Sequence, residues 1–302
     1  MNLEPAICQS IATVTGGPGQ PGRGQELGGG CINRAQRLEC DGVAYFVKLN
    51  QAELLPMFEA EAEGLRALAA TNSLRVPQPV CTGRSGDNAW LVMEYLELGG
   101  RGSLAALGEG LAALHRTPQA RFGWTRDNTI GSSPQPNAEC DDWITFWRER
   151  RLGFQLELAA RNGFGGRLQA LGTELLERFP ALFTDYHPVP SLLHGDLWSG
   201  NYGFTRAGEP VIFDPAPYCG DREADVAMTE LFGGFGAEFH SAYQRAWPLD
   251  PGYARRKTLY NLYHILNHAN LFGGGYASQA EGMMERLLQK IGDRPHFSGA
   301  NL

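Results

Sequence analysis

His194-Gly195-Asp196-Leu197-Trp198-Ser199-Gly200-Asn201 is the stretch on which the reading of this 302-residue chain turns. A carboxylate and a carboxamide, Asp196 and Asn201, stand five residues apart after a His-Gly pair. Further on, Val211-Ile212-Phe213-Asp214 is an apolar, strand-like run that ends in a second carboxylate. An isolated Asp and Asn at this spacing is usually a polar turn after a strand. With Asp214 downstream, Asn201 and Asp214 offer oxygen donors of the kind that suit a hard cation.

Working upstream, Asp41-Gly42 lies between two strand-like runs and predicts a hairpin. In the second run, Val43 to Lys48, alternation puts Val43, Tyr45 and Val47 on one face and Ala44, Phe46 and Lys48 on the other. Lys48 is one of only three lysines, with Lys257 and Lys290, so a lysine inside an apolar strand stands out. A helix is predicted from about Ala52 to Ala70, with Leu54, Met57, Leu65 and Leu68 as its apolar stripe. Glu61 falls at the centre of that stripe, whereas Glu59 and Glu63 point toward water. A carboxylate on a buried face needs a partner, and Lys48 is the one offered close upstream. Gly28, Gly29 and Gly30 lie between strands ahead of Lys48, where backbone amides could cradle phosphates.

Phosphoryl transfer asks a protein for these parts: a cover over the phosphates, a lysine, a base and metal ligands. Asp196 and Asn201 have the spacing of the protein-kinase pattern H-R-D-x-x-x-x-N. Asp196 is then the candidate base for a substrate hydroxyl, and Asn201 and Asp214 the candidate Mg²⁺ ligands beside ATP. A protein kinase is disfavoured, because Pro215-Ala216 follows Asp214 where D-F-G has Phe-Gly, and no A-P-E segment is present. Trp198 stands two residues after the base, and its plane suits stacking against a sugar or linear polyol. Ala89 to Tyr95 reads as a further buried strand, and Gly99, Gly100 and Gly102 mark a lobe boundary. Beyond it, helices are predicted over Leu104 to His115, Asp142 to Arg161, Leu168 to Phe179 and after Glu223. The expected fold is therefore α+β, bilobal and protein-kinase-like. A β-rich N-lobe with one helix takes residues 1–97, and a mainly helical C-lobe takes 98–302.

Composition narrows the partners. The content is ordinary for a globular protein, 43% hydrophobic and 20% charged, and the net charge of −7 argues against nucleic acid or an anionic membrane. No apolar run approaches the roughly 20 residues of a membrane span, and Glu4-Pro5 stands where a signal peptide needs basic and then apolar residues. A cytoplasmic location is expected. The six cysteines are scattered without C-x-x-C, in keeping with a reducing compartment. Thr15 to Gly24 is rich in Gly and Pro and is expected to be a surface loop. Its Gly17-Pro18-Gly19-Gln20-Pro21-Gly22 matches G-x-G-x-x-G, but two prolines followed by more glycine do not open the helix that a dinucleotide site needs.

Taken together, these segments resemble the fructosamine kinases, or ketosamine-3-kinases, in the aminoglycoside-phosphotransferase-like branch of the kinase fold. The resemblance runs from about Gly28 to Leu287. It is carried by Gly28 to Asn33, Tyr45 to Lys48, Phe58 to Glu61, Asn128-Thr129-Ile130-Gly131-Ser132 with Gln135-Pro136-Asn137, His194 to Asn201, Asp221 to Phe235, and Leu266-Asn267-His268. It implies ATP- and Mg²⁺-dependent phosphorylation of the sugar O3 of ketoamines, free or on protein lysines. The unstable 3-phosphate then falls away and the amine is repaired. It further implies Asp196 as base, Lys48 and Glu61 as phosphate clamp, Asn201 and Asp214 as metal ligands, and Met93, Glu94, Tyr95 and Leu96 as the hinge that meets adenine. Trp198 and His268 are the implied substrate contacts. Cys31 matches a cysteine that can link two copies, so a monomer or a redox-linked homodimer is expected. The Gly/Pro segment before Gly28 departs from the family and leaves the start of the first strand open. The rival readings are an aminoglycoside-, choline- or homoserine-type phosphotransferase, and a catalytically silent kinase-fold binding module.

Overall fold

A computed structural model describes residues 3–28 and 32–292. The chain opens with helix α1 (Glu4–Thr15), for which the sequence carries little signal. Its proline sits in the first turn, where a missing N–H costs nothing. Ile7, Cys8 and Ile11 are buried among Leu38, Val47, Trp90 and Val92 of the sheet that follows. That sheet is antiparallel, in the order β1-β2-β3-β5-β4. Strand β1 (Pro21–Leu27) corrects the expected loop over Thr15 to Gly24, since Thr15 ends α1 and residues from Pro21 onward are paired. As an edge strand with nearly every side chain exposed, it has no alternation to read, and its proline occupies the first position, ahead of an irregularity in the pairing between Pro21 and Gly24.

Strands β2 (Arg34–Cys40) and β3 (Val43–Gln51) are joined by the expected Asp41-Gly42 turn. Both turn residues have positive φ, 53° and 77°, the conformation that matches strand twist. The alternation in β3 is as read: Val47 packs behind the sheet with α1, while Phe46 and Lys48 line a cleft in front. Helix α2 (Leu55–Ala70) lies on the face opposite α1. Its buried face is formed by Phe58, Ala62, Leu65 and Leu68, whereas Leu54 and Met57 of the predicted stripe are only half-buried. Strands β4 (Pro79–Ser85) and β5 (Asn88–Glu94) complete the sheet. β5 alternates strictly, with Ala89, Leu91 and Met93 toward α2 and Trp90 and Val92 toward α1.

The rest is mainly helical. Helix α3 (Leu104–His115) begins at Ser103, whose hydroxyl accepts from Ala106 N–H. A short hairpin, β6 (Asn128–Ile130) with β7 (Ser133–Gln135), precedes a long helical run. That run passes from α4 (Trp143–Phe146) through a π-helical segment, Trp147–Gly153, into α5 (Phe154–Arg161). After α6 (Arg167–Arg178) come four short strands, β8 (Ser191–Leu193), β9 (Tyr202–Phe204), β10 (Pro210–Ile212) and β11 (Tyr218–Gly220). β8 pairs with β11 and β9 with β10, so the opening stretch of sequence is the link between two ribbons, fixed at both ends. Helices α7 (Glu223–Met228), α8 (Ala237–Ala246), α9 (Tyr253–Phe272) and α10 (Tyr276–Gly292) finish the fold. One apolar cluster runs from Phe58 and Met93 to Leu107, Leu197 and Phe239, and so crosses the expected boundary at residue 97. Among the described residues no helix is long and apolar enough to cross a membrane.

Candidate active site

A cleft of about 980 Å³ lies between the sheet and the helical part. Its upper wall is set by β3 and α2. The Lys48 ammonium meets Glu61 Oε1 at 2.5 Å and Asp214 Oδ1 at 2.7 Å, which joins strand, helix and the second residue past β10 in one chain of charge. Burial alone would push Lys48 down, but the two carboxylates outweigh it and hold the ammonium above its ordinary value. Burial also raises Glu61, against the pull of Lys48. Asp214 has φ of 57°, unusual for a residue with a side chain and more so before a proline. Strain of this kind gathers at functional sites.

The floor is the link from β8 to β9. Gly195 has φ of 81°, and a Cβ there would stand 2.0 Å from the Ala216 carbonyl oxygen. Two strand ends pass this closely because Ala216 N–H donates to the His194 carbonyl at 2.9 Å. The His194 ring bonds Phe213 O through Nε2 at 2.9 Å, while Asp196 N–H meets Nδ1 at 3.3 Å. One neutral tautomer serves both contacts, in keeping with burial lowering the imidazole. Asn201 Nδ2 donates to Asp196 O at 2.8 Å and to Asp196 Oδ2 at 3.2 Å. The Asp196 carboxyl is pushed up to about 7, chiefly by burial and then by the Asp214 charge, against the Asn201 hydrogen bond. Gly195→Ala is expected to destabilise the protein by about 1–3 kcal/mol through forced backbone shifts. Thermal unfolding checks this, and an unchanged midpoint would show that the close approach is unimportant.

Asp225 of α7 has a structural part that the sequence reading did not give it. Its carboxylate accepts from His194 N–H at 2.7 Å, from Gly195 N–H at 2.8 Å and bonds His115 Nε2 at 3.1 Å. An acid set between Ala224 and Val226, in a short helix whose one other charged residue is Glu223, was the available signal. The β6–β7 hairpin is tied to the same floor. Asn128 Nδ2 donates to Pro217 O, Gln135 Nε2 donates to Ala216 O, and Asn137 Oδ1 accepts from the buried Arg151.

The other predicted residues fall around this cleft. Met93, Glu94, Tyr95 and Leu96 line one end, where the Glu94 carboxylate is taken by Arg75 at 2.6 Å and Gln78 N–H at 2.8 Å. Trp198 and His268 line it as well. Gly28 adjoins the end of β1, whereas Gly29, Gly30 and Cys31, with the expected inter-chain disulfide, lie outside the described residues. Asn128, Phe232 and Asn267, which the sequence reading placed in the resembling segments without a role, also line the cleft, as does Phe272, which it did not name.

Comparison with known proteins adds findings of three kinds. The family model described as fructosamine kinase matches residues 3–290. A probable ketoamine kinase of Synechocystis sp. is 50% identical over 287 residues, 94% of this chain and 96% of that protein. A chloroplastic protein-ribulosamine 3-kinase of Arabidopsis thaliana is 43% identical over 269 residues, 88% of this chain and 82% of its own. Among solved structures, a candidate fructosamine-3-kinase from Haemophilus somnus 129PT superposes with a TM-score of 0.86 at 30% identity, covering 93% of this chain and 96% of that one. An aminoglycoside phosphotransferase in ternary complex with ADP and hygromycin B gives 0.64 at 17% identity, covering 98% and 100%, a likeness of fold alone.

Proposed function

The chain belongs to the fructosamine kinase family and is a ketoamine kinase, a phosphotransferase acting on a sugar hydroxyl; from that premise we propose how its own residues perform the transfer. The family binds ATP, and a cleft of about 980 Å³ has ample room for the nucleotide and a sugar. Asp196 takes the proton from the sugar O3 as that oxygen attacks the γ-phosphorus, and ADP leaves. A base with its carboxyl near 7 is matched to that task. Lys48 neutralises the phosphates, and Glu61 keeps its ammonium in place.

Mg²⁺ belongs to the same proposal. Among the described residues no cluster of three or more His, Cys, Asp or Glu could hold a metal unaided. Mg²⁺ beside a nucleotide needs only one or two protein carboxylates, because phosphates complete its shell. Asp214, its side chain 48% exposed, and Asn201 are the fitting donors. When bound, the ion neutralises charge on the transferring phosphoryl group. The division into lobes at 97 and 98 and a cytoplasmic place of action are parts of this reading too.

The observation that carries it is the single chain of contacts Glu61–Lys48–Asp214 standing over the Asp196–Asn201 pair in one cleft. The test is incubation with Mg·ATP and a panel of ribulosamine, fructosamine and aminoglycoside acceptors while ADP is followed. ADP release on the ketoamines is expected. Release on aminoglycosides alone would overturn the assignment.

A further inference from the structure

Gly64 stands inside helix α2, although glycine is the poorest helix former after proline. Packing supplies the reason. A Cβ on Gly64 would stand 3.0 Å from Cδ of Pro217 and closer still to its Cγ, so helix and proline ring touch with no room for a methyl group. The proline is poorly placed to yield. Its carbonyl accepts from Asn128 Nδ2 at 2.8 Å, and the Ala216 carbonyl before it accepts from Gln135 Nε2 at 3.0 Å. Asp214 lies three residues ahead of Pro217 on this pinned segment. Gly64 lies three residues after Glu61, so the two are neighbours on the surface of the helix.

A second contact grips the same helix. Glu59 and Glu63, expected to face water, stand one turn apart on α2 and both meet Arg126. Arg126 Nη1 lies 3.4 Å from Glu63 Oε2, and its Nη2 lies 3.7 Å from Glu59 Oε2. The Thr125 hydroxyl donates to Glu63 Oε1 at 3.0 Å. Arg126 is anchored in turn, because its carbonyl accepts from Asn137 Nδ2 at 3.2 Å and it stands two residues before β6. Helix α2 is thus tied both to the Asp214 segment and to the foot of the β6–β7 hairpin.

We propose that Gly64 and Arg126 are positioning residues that act through Glu61. Gly64 against Pro217 fixes how deeply α2 sits on the Asp214 segment, and Arg126 across Glu59 and Glu63 fixes its rotation. The Lys48 ammonium is shared between a carboxylate of the helix, Glu61 at 2.5 Å, and one of the pinned segment, Asp214 at 2.7 Å. Withdrawal of α2 therefore draws Glu61 away from Asp214 and leaves Lys48 with one of its two partners. An ordinary carbon–carbon contact is about 3.5–4.0 Å, so a methyl group at position 64 would push the helix back by about 1 Å. That is a large error for an ammonium aimed at a phosphate.

This rests on the part given to Lys48 and Glu61 in phosphoryl transfer, and the experiment separates the two. With Mg·ATP and one ketoamine, kcat and KM are measured for Glu61→Gln, Gly64→Ala and their combination, at temperatures where each is folded by circular dichroism. A misplacement of about 1 Å can cost about 10²-fold, so Gly64→Ala should lower kcat about tenfold or more and leave KM for the ketoamine within about twofold. On top of Glu61→Gln the same change should cost less than about twofold, because residues acting as one unit are not additive. Gly64→Ala combined with Pro217→Ala should return most of the loss toward the level of Pro217→Ala alone, since the ring that the methyl meets is gone. Arg126→Ala should lower kcat about two- to fivefold, the scale of half-exposed ion pairs, and Arg126→Lys should recover part of it. Parent kcat in folded Gly64→Ala, or its full loss repeated on top of Glu61→Gln, would overturn the positioning and leave the clamp standing. If Gly64→Ala does not fold, the cycle of Arg126→Ala with Glu61→Gln decides, and additive losses there overturn the proposal. Turnover of Glu61→Gln at the parent's rate would remove the Lys48–Glu61 reading and the positioning with it.

Discussion

Asp196→Asn should lower kcat on a ketoamine acceptor by about 10²–10⁴-fold, the worth of a positioned general base, without loosening the fold. The replacement keeps shape and keeps the backbone carbonyl that receives Asn201 Nδ2 at 2.8 Å. It removes a charge that the folded protein tolerates poorly. Because burial raises the Asp196 carboxyl to about 7, the folded state holds a proton there at pH values where the unfolded chain, near 4, has lost it. That group therefore costs stability increasingly as pH rises from about 4 to about 7, and the full cost persists above. In nucleotide-free protein at pH 8, Asp196→Asn should unfold no earlier than the parent and somewhat later by urea titration. A dead enzyme that is also markedly less stable would point to misfolding, and full turnover would remove Asp196 from the mechanism.

What sequence could and could not disclose follows from where each signal resides. The Asp41-Gly42 turn, the alternation of β3 and the place of Glu61 on α2 are local, and each is fixed by periodicity against one buried face. Lys48 and Glu61 could be paired on paper because a buried acid and a buried base on neighbouring elements need one another. Helix α1 was invisible for the opposite reason. Thr13, Val14 and Thr15 are weak helix formers, and its stability comes from setting Ile7 and Ile11 on the back of a sheet assembled from later residues. Strand β1 owes its existence to pairing with β2, and its glycines and proline read as a loop until a partner is supplied. The hairpin network of Asn128, Gln135, Asn137 and Arg151 is anchored to Ala216 and Pro217, far along the chain, with no periodicity to betray it. Arg151 lies 3.9 Å over the Tyr218 ring with carbonyl and carboxamide partners, and among the described residues it has no ion pair, so charge counting could not have found it.

Asp225→Ala is expected to cost about 3–5 kcal/mol, the usual result of breaking a buried charged network from one side. The carboxylate sits at 1% exposure and anchors the two amides that begin the catalytic link. Without it, His194 N–H and Gly195 N–H are buried donors lacking an acceptor, and nothing holds the chain as it turns through the positive φ of Gly195. Burial by itself would raise the Asp225 carboxyl, but the His115 hydrogen bond and the Gly195 N–H, among other contacts, outweigh it and leave it below its ordinary value. The sign then follows. Its stabilisation is fully present above the unfolded value near 4 and is lost as pH falls through the lower folded value. Asp225→Asn, which keeps one acceptor oxygen and the volume, should therefore fall between parent and alanine at pH 7. It should also lose part of the parent's steep decline in stability at acid pH. Urea unfolding across pH 3 to 7 measures both effects. If alanine and parent unfold together at pH 7, the amides have found other acceptors. Activity discriminates further: a positioning group acts through Asp196, so kcat should drop in Asp225→Asn even at temperatures where the protein is fully folded, whereas a merely structural acid would leave the folded enzyme's turnover intact.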